Sequence, residues 1–447
     1  MKFLRIPAIT PIPLFTAVVF AIPLLFLSSC AKDSGDQSGA QGTEATAQGG
    51  AEEPVVYSDV PEAQAAFDES IDLWGSDGWA SLARLKEAVA LDPDFVEARG
   101  LLSMRYAYVY LNYDRSDSIA NQARMYAEEA MALDPENRRS LNAMGNYYYR
   151  VLKDYPTAVE YYGRGAELYP EALVFLRMQA YAARRAGDWD RSLALLLQAD
   201  GTQPSLDAIQ GIAEDYEYNR RWDEAVAAYQ EHQRRNPEST LGPYNLARIA
   251  WIRTGDTGEL REFLASRPTG WAGDRWNMEM LDRDYEAALA ALDYSDNEVF
   301  RGQNGIHPKA YYRGVSQKWM GDEAAAEASF QEARQIMEAM LPDLDHDCRV
   351  HAGLADIYAN LGMPEEAVAE GMRAVELVPV EMDALTGPPN HMALARVYSV
   401  LGDADAAVEE LRYLLSIPSS LTRTGLRLAP VWDPIREDPA FQALLEE

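Results

Sequence analysis

The amino-acid sequence predicts an all-α protein built as a solenoid of about ten helix pairs. Beyond residue 60 the apolar residues recur with a helical period, and alternating stretches typical of β-strands are missing. Prolines close successive pairs at positions 93, 135, 170, 204, 237 and 268, which are 42, 35, 34, 33 and 31 residues apart. A period near 34 residues that contains two helices indicates a repeat protein, in which each pair packs on its neighbours.

The turns inside the pairs share one pattern. Gly suits the left-handed end of a first helix, and Asp caps the exposed amides of the second, as in Gly187-Asp188 and Gly402-Asp403. Small residues mark the close crossings of helices: Ala158, Ala225, Ala367 and Ala407 in second helices, and Ala213, Gly314, Ala355 and Ala395 in first helices. The predicted pairs are 61–92, 95–134, 139–169, 171–203, 205–236, 239–267, 270–292, 308–341, 347–378 and 385–417.

Three departures from the pattern are expected. The pair at 270–292 reads as poorly formed, and residues 293–307 read as an irregular loop that could divide the array in two. The run from Gly145 to Ala158 carries one residue more than the usual spacing.

On this period and these turns, the chain is identified as a tetratricopeptide-repeat protein. That resemblance implies a right-handed superhelical solenoid over residues 54–417, with the first helices along the concave face. Such arrays commonly bind segments of other proteins in that groove.

The segment 418–447 resembles the end of bacterial repeat arrays that follow Ser/Thr kinase domains or TolB-like domains. Those arrays close on Trp-Asp-Pro and Asp-Pro-x-Phe, here Trp432-Asp433-Pro434 and Asp438-Pro439-Ala440-Phe441. Ile435 stands for a Leu of that pattern and Ala440 for an Arg. No such domain occurs in this sequence, so the resemblance implies no activity. Physically, the segment is expected to cap the last repeat.

The N-terminus resembles a bacterial lipoprotein signal peptide. A short basic start precedes the uncharged stretch 14–27, which ends in Leu27-Ser28-Ser29-Cys30. The resemblance implies a signal peptide over 1–29, cleavage before Cys30 and a lipid on its thiol. Ala31 favours the outer membrane if the cell is Gram-negative, with the protein facing the periplasm or the cell surface. The alternative is an uncleaved anchor helix over residues 6–27, which four prolines disfavour.

Composition limits the partners. The formal net charge is −31, which disfavours nucleic acid and anionic lipid headgroups. Residues 30–53 contain small and polar residues without large apolar ones and predict a flexible acidic tether. Two cysteines, Cys30 and Cys348, exclude a disulfide framework.

Alignment of the repeats predicts a partner-binding groove. A basic and aromatic strip would lie beside an acidic one and suit an extended peptide with charges of both signs. Ordinary solvated helix turns are the alternative. The first strip is Arg177, Tyr181, Arg184 and Arg185, and the second is Gln210, Glu214, Glu217 and Tyr218.

Catalytic and cofactor motifs are missing from the sequence, so neither an enzyme nor a cofactor is expected. The concentrated ligand-type residues are Asp343, Asp345, His346, Asp347, Cys348 and His351. They read as the capped start of a helix rather than as a metal site. The Tyr-rich runs 106–113 and 147–149 read as filler between helices, or as an exposed aromatic shelf for a peptide or sugar.

Two functions remain in view. The first is a membrane-anchored scaffold or adaptor that binds other proteins in the bacterial cell envelope. The second is a lipoprotein that captures a ligand or glycan at the outer membrane, which the nearly contiguous repeats make less fitting.

Overall fold

The computed structural model describes residues 55–267 and 269–447. The predicted signal peptide, Leu27, Ser28, Ser29, Cys30 and the predicted tether lie outside these residues. The described chain forms ten helix pairs, so the predicted all-α tetratricopeptide-repeat fold is confirmed. It divides into two compact units, residues 55–152 with 160–175, and residues 153–159 with 176–447.

The first unit begins with two long pairs and a third pair that starts in an α-helix and continues in a π-helix. The helices are α1 (Pro61–Leu73), α2 (Gly78–Leu91), α3 (Val96–Asn112), α4 (Asp117–Leu133), α5 (Arg138–Asn146) and the π-helix (Tyr147–Leu152). Two further helices, α6 (Tyr155–Leu168) and α7 (Val174–Arg185), contribute residues to both units.

The second unit holds the remaining pairs and the C-terminal segment. Its helices are α8 (Trp189–Thr202), α9 (Leu206–Tyr218), α10 (Trp222–Arg235), α11 (Leu241–Thr254), α12 (Gly258–Ala265), α13 (Ala272–Leu281), α14 (Tyr285–Ala291), α15 (Lys309–Trp319), α16 (Glu323–Leu344), α17 (Cys348–Asn360), α18 (Pro364–Leu377), α19 (Gly387–Leu401), α20 (Ala404–Ser416), α21 (Arg423–Leu428) and α22 (Pro439–Glu446). Short 3-10 helices span Leu292–Tyr294 and Pro430–Ile435. None of the described helices is long and apolar enough to cross a bilayer.

The loop expected at 293–307 contains a β-hairpin instead of being irregular throughout. Strands β1 (Val299–Arg301) and β2 (Ile306–Pro308) pair antiparallel, with Phe300 opposite His307. Phe300 and Ile306 are buried in an apolar core with Trp276. The hairpin therefore packs inside the second unit, whereas the boundary between the compact units falls near residues 153–175. The other predicted domain boundaries stay predictions.

The turns follow the chemistry that the sequence indicates. Gly187, Gly362 and Gly402 have φ of 86°, 71° and 80°, a left-handed conformation that side chains with a Cβ resist. Asp188 and Asp403 each accept a hydrogen bond from a backbone amide in the first turn of the helix that follows. These caps explain why the helix ends match the predicted pairs closely.

The small residues lie where helices cross. Every Ala of the predicted set, in first and second helices alike, is fully buried. Gly314 is also buried, and a Cβ there would lie 2.8 Å from the Phe330 ring. Close approach at these positions brings the larger aromatic side chains of neighbouring helices into contact.

The extra residue between Gly145 and Ala158 is accommodated by the π-helix. Its wider turn takes up one additional residue, and Lys153 (φ 55°) ends the irregular stretch. Gly145 still faces the Tyr162 ring across the pair, and Ala158 is fully buried. The insertion is therefore confined to one segment of the first helix.

The C-terminal segment does more than cover the last pair. Trp432, Phe441 and Leu444 are fully buried, and α22 packs on α20. Residues 417–436, here called the C-terminal strap, also lie along turns of earlier pairs. Ser419 N donates to the Tyr218 carbonyl (3.1 Å), and Thr424 Oγ1 donates to the Arg253 carbonyl (3.2 Å).

Arg220 fastens the strap. Its guanidinium donates to the carbonyls of Leu414, Ile417 and Leu421 at 2.9–3.3 Å, and to Ser419 Oγ at 2.8 Å. The carbonyls of Leu414 and Ile417 lie at the C-terminal end of α20, where backbone carbonyls have no amide partner within the helix. The sequence offered no signal for this role, because Arg220 reads as an ordinary turn residue.

Gly353 allows α17 to approach strand β2 closely. A Cβ at this position would lie 2.4 Å from the Ile306 carbonyl oxygen. We expect Gly353→Ala to lower the free energy of unfolding by about 1–3 kcal/mol through this overlap. The control is Gly201→Ala at an exposed position of α8, where a Cβ meets nothing within 4 Å. That change should raise the same quantity by about 0.5–1 kcal/mol. Urea unfolding followed by circular dichroism measures both, and equal effects would contradict the proposed contact.

Candidate functional site

The predicted groove residues lie side by side in the second unit. Arg177, Tyr181, Arg184 and Arg185 belong to α7, and Gln210, Glu214, Glu217 and Tyr218 belong to α9. Two residues of the α7 strip contact Asp207, which lies at the start of α9. Arg177 Nη2 lies 3.6 Å from its carboxylate, and Tyr181 Oη donates to its carbonyl at 3.1 Å.

Arg184 lies between two carboxylates. Its Nη1 is 3.1 Å from Glu214 and 3.1 Å from Asp215, and all three side chains are buried. Ser192 Oγ donates to Asp215 at 2.6 Å, and Gln210 Nε2 donates to Glu214 at 3.0 Å. Since burial outweighs the attraction of Arg184, and Glu214 repels a second negative charge, the pKa of Asp215 is raised to about 6.

Glu217 is held by a partner from the next pair. Arg248 of α11 grips both of its carboxylate oxygens, at 2.8 Å and 2.5 Å, and Tyr229 Oη donates to it at 3.2 Å. Asn245 accepts from the other edge of the same guanidinium. Burial opposes the charge on Arg248, but the neighbouring Glu217 outweighs it and raises the pKa of Arg248.

The last two groove residues also have internal partners. Tyr218 is buried and stacks on Trp189, with ring centroids 5.2 Å apart. Arg185 donates to Asp383 at 2.7 Å and to Thr386 at 3.1 Å. Tyr155 Oη donates to the same carboxylate at 2.6 Å. The charge of Arg185, helped by this hydrogen bond, outweighs burial and holds the pKa of Asp383 below its usual value.

The basic strip and the acidic strip therefore pair with each other and with neighbouring helices. Repeat alignment placed these residues on adjacent helices, but their pairing was not anticipated. A peptide with charges of both signs would have to displace contacts such as Arg184 with Glu214. Binding of a partner by this set of residues remains a prediction.

The Tyr-rich runs of the first unit divide between core and surface. Tyr106, Tyr147 and Tyr162 are buried. Tyr148 stacks on Tyr161 at 5.5 Å, whereas Tyr113 is 54% exposed and leans on Tyr108 at 6.0 Å. These tyrosines therefore act mainly as filler between helices, with one exposed ring at Tyr113, and stacking of a peptide or sugar there stays a prediction.

The residues considered for a metal site each contact different partners. Asp347 caps α17 and pairs with Arg349 at 2.6 Å, while Cys348 is buried among apolar side chains, which raises the pKa of its thiol. His351 Nδ1 lies 2.5 Å from Glu370, and its Nε2 lies 2.7 Å from the Asp345 carbonyl. Within residues 55–267 and 269–447, no group of three or more such side chains has the arrangement of a metal site.

The chain was compared with known families and proteins. No protein-family model and no curated protein matches it. One similar solved structure is TTC0263, a thermophilic TPR protein of Thermus thermophilus (TM-score 0.37, 17% identity, covering 42% of this chain and 100% of that one). Another is PilF of Pseudomonas aeruginosa, with a TM-score of 0.35 and 16% identity, covering 46% of this chain and 98% of that one. A third is the human IFIT1 dimer with m7Gppp-AAAA, with a TM-score of 0.38 and 14% identity, covering 70% of this chain and 72% of that one. Likenesses at this level carry no information about partners of this chain.

The raised pKa of Asp215 predicts a specific dependence of stability on pH. With a folded pKa near 6 and an unfolded pKa near 3.8, the folded state binds the extra proton between these values. This group therefore favours folding less as pH rises from 4 to 7. We expect Asp215→Asn to gain stability relative to the parent chain over that range, by up to about 3 kcal/mol.

Urea unfolding at pH 4, 5, 6 and 7 measures the difference between the two chains. Asp207→Asn on the same helix is the control, because its side chain is 42% exposed whereas that of Asp215 is buried. A difference for Asp215→Asn that does not change with pH would show that this carboxyl is already ionised at pH 4.

Proposed function

We propose that this chain is a membrane-anchored tetratricopeptide-repeat lipoprotein that serves as a scaffold or adaptor for other proteins in the bacterial cell envelope, without catalysis. The observation that carries the proposal is the contrast between its two units. The charged first-helix residues of the second unit pair internally, whereas the first unit presents exposed aromatic side chains.

Exposed aromatic rings favour protein partners. Trp79 is 58% exposed, and Tyr57 and Tyr113 are exposed as well. Among the described residues of the second unit, Tyr294 alone is a comparably exposed aromatic residue. Trp and Tyr are enriched at protein interfaces because they bury a large apolar area and keep one polar group for hydrogen bonding. The first unit is therefore the proposed docking face.

The anchor is proposed from the sequence alone. Leu27-Ser28-Ser29-Cys30 fits lipid attachment, and the acidic stretch 30–53 fits a tether that holds the repeats away from the bilayer. Ala31 supports the outer membrane. The likeness of the segment 418–447 to kinase-associated and TolB-associated arrays supports a bacterial adaptor, and the burial of Trp432 and Phe441 fits a cap.

The docking face can be tested by photo-crosslinking in living cells. With benzoylphenylalanine in place of Tyr113, we expect one dominant crosslinked protein of defined mass. The same amino acid in place of Tyr294, which is 42% exposed, is the control and should give no such product. If Tyr113 gives no protein adduct and the purified chain binds a glycan array, the protein captures glycans and the scaffold proposal fails.

The anchor is tested by Cys30→Ser. Without a thiol to accept the lipid, the chain should leave the membrane fraction and lose its incorporation of labelled fatty acid. Ser29→Ala is the control, because a small residue before the cysteine is retained and acylation should continue. A Cys30→Ser chain that stays membrane-bound would indicate an uncleaved anchor helix.

A further inference from the structure

Arg105 of α3 is a buried cation without an anionic partner. The residue is 5% exposed, and its Nη1 donates to the Ser70 carbonyl at 3.1 Å and to Ser81 Oγ. Among the described residues its hydrogen bonds all run from Nη1, and no described carboxylate forms an ion pair with it. Burial alone lowers the pKa of Arg105 to about 9.

Three other arginines that are largely removed from solvent differ in this respect. Each of these three has at least one carboxylate against its guanidinium, because an uncompensated charge in a protein interior costs free energy. The pairs are Arg184 with Glu214 and Asp215, Arg248 with Glu217, and Arg396 with Asp356. Arg105 therefore differs from Arg184, Arg248 and Arg396, whose charges are neutralised by neighbouring carboxylates.

One aromatic ring packs on the guanidinium, and a row of further rings leads from it to the surface. Its Cζ lies 4.7 Å from the centroid of the Trp74 ring, an arrangement in which the ring face attracts the cation. Tyr108 meets Trp74 edge-on at 5.4 Å, and Tyr113 continues the row at 6.0 Å. Tyr113 is mostly exposed. A ligand side chain could thus pack on the rings while its charge faces Arg105.

We propose that Trp74, Arg105, Tyr108 and Tyr113, here called the Arg105 cluster, bind an acidic side chain of a partner protein that is flanked by aromatic side chains. The inference rests on the proposed scaffold function and specifies what the docking face recognises. A carboxylate would supply the anion that Arg105 lacks, and flanking rings would stack on the exposed row.

Charge favours a carboxylate over other anions. Phosphate sites in proteins gather several donors or a helix N-terminus, whereas this cluster offers one guanidinium edge, which matches one carboxylate. The net charge of −31 also repels ligands with many negative charges. An uncharged sugar would stack on the rings but would leave Arg105 uncompensated.

A purely structural role for Arg105 predicts a different result. The Ser70 carbonyl belongs to the last turn of α1, so Arg105 could serve only to cap that helix. In that case replacing Arg105 by an apolar side chain would destabilise the fold and would leave recognition of any ligand unchanged.

The test uses the detergent-solubilised full chain and two peptides, acetyl-Phe-Glu-Phe-amide and its Gln twin, with binding followed by calorimetry. We expect the Glu peptide to bind about tenfold more tightly, because a charged hydrogen bond is lost in the twin. Arg105→Met should bring the ratio of the two affinities to about one. Arg84→Met, which removes a partly exposed arginine of the same unit that already has a carboxylate partner, should preserve this ratio.

Trp74→Leu gives a second variant in case Arg105→Met does not fold. This change removes a ring and leaves the charge of Arg105 in place. It should therefore weaken the binding of both peptides while the preference for the Glu peptide is kept. Equal binding of the two peptides by the parent chain, binding of neither, or a Glu preference that survives Arg105→Met would each overturn the proposal. If the Tyr113 crosslink to a partner persists in that event, the scaffold function stands and only the ligand chemistry is wrong.

Discussion

The close crossing of paired helices at small residues is the constraint on which the rest of the structure depends. No pair in such an array can bury its apolar face alone, so each must approach its neighbours closely. Ala225 and Ala407 are fully buried at such crossings, and Gly145 leaves room for the Tyr162 ring. With the distance between helices fixed in this way, the polar residues of the first helices meet one another across neighbouring pairs.

That proximity decides the electrostatics of the second unit. Its buried arginines reach carboxylates on a neighbouring first helix, as Arg248 reaches Glu217, and these contacts link one pair to the next. Removing water from two charges is costly, so such pairs specify which helices are neighbours more than they add stability. A formal charge of −31 thus says little about the chemistry of a particular face.

The sequence predicts the class of fold well because its signals are local. Prolines, left-handed glycines and capping aspartates lie within a few residues of the helix ends they set, and α9 with α10 covers 206–235 against a predicted 205–236. Contacts across the repeats are harder to predict. Pairing of Arg184 with Glu214 depends on side-chain rotamers, and three-residue strands such as β1 are too short to show a period. Arg105 looked like one more polar residue in a helix, because its lack of an anion appears only in three dimensions.

The π-helix at Tyr147–Leu152 has a consequence for how the array tolerates change in length. An extra residue in an α-helix rotates everything after it by about 100° around the axis. Here the rotation is absorbed within one wide turn, and Ala158 still reaches a fully buried position. The two helices of this pair thereby stay in register, since Gly145 before the π-helix still faces the Tyr162 ring after it.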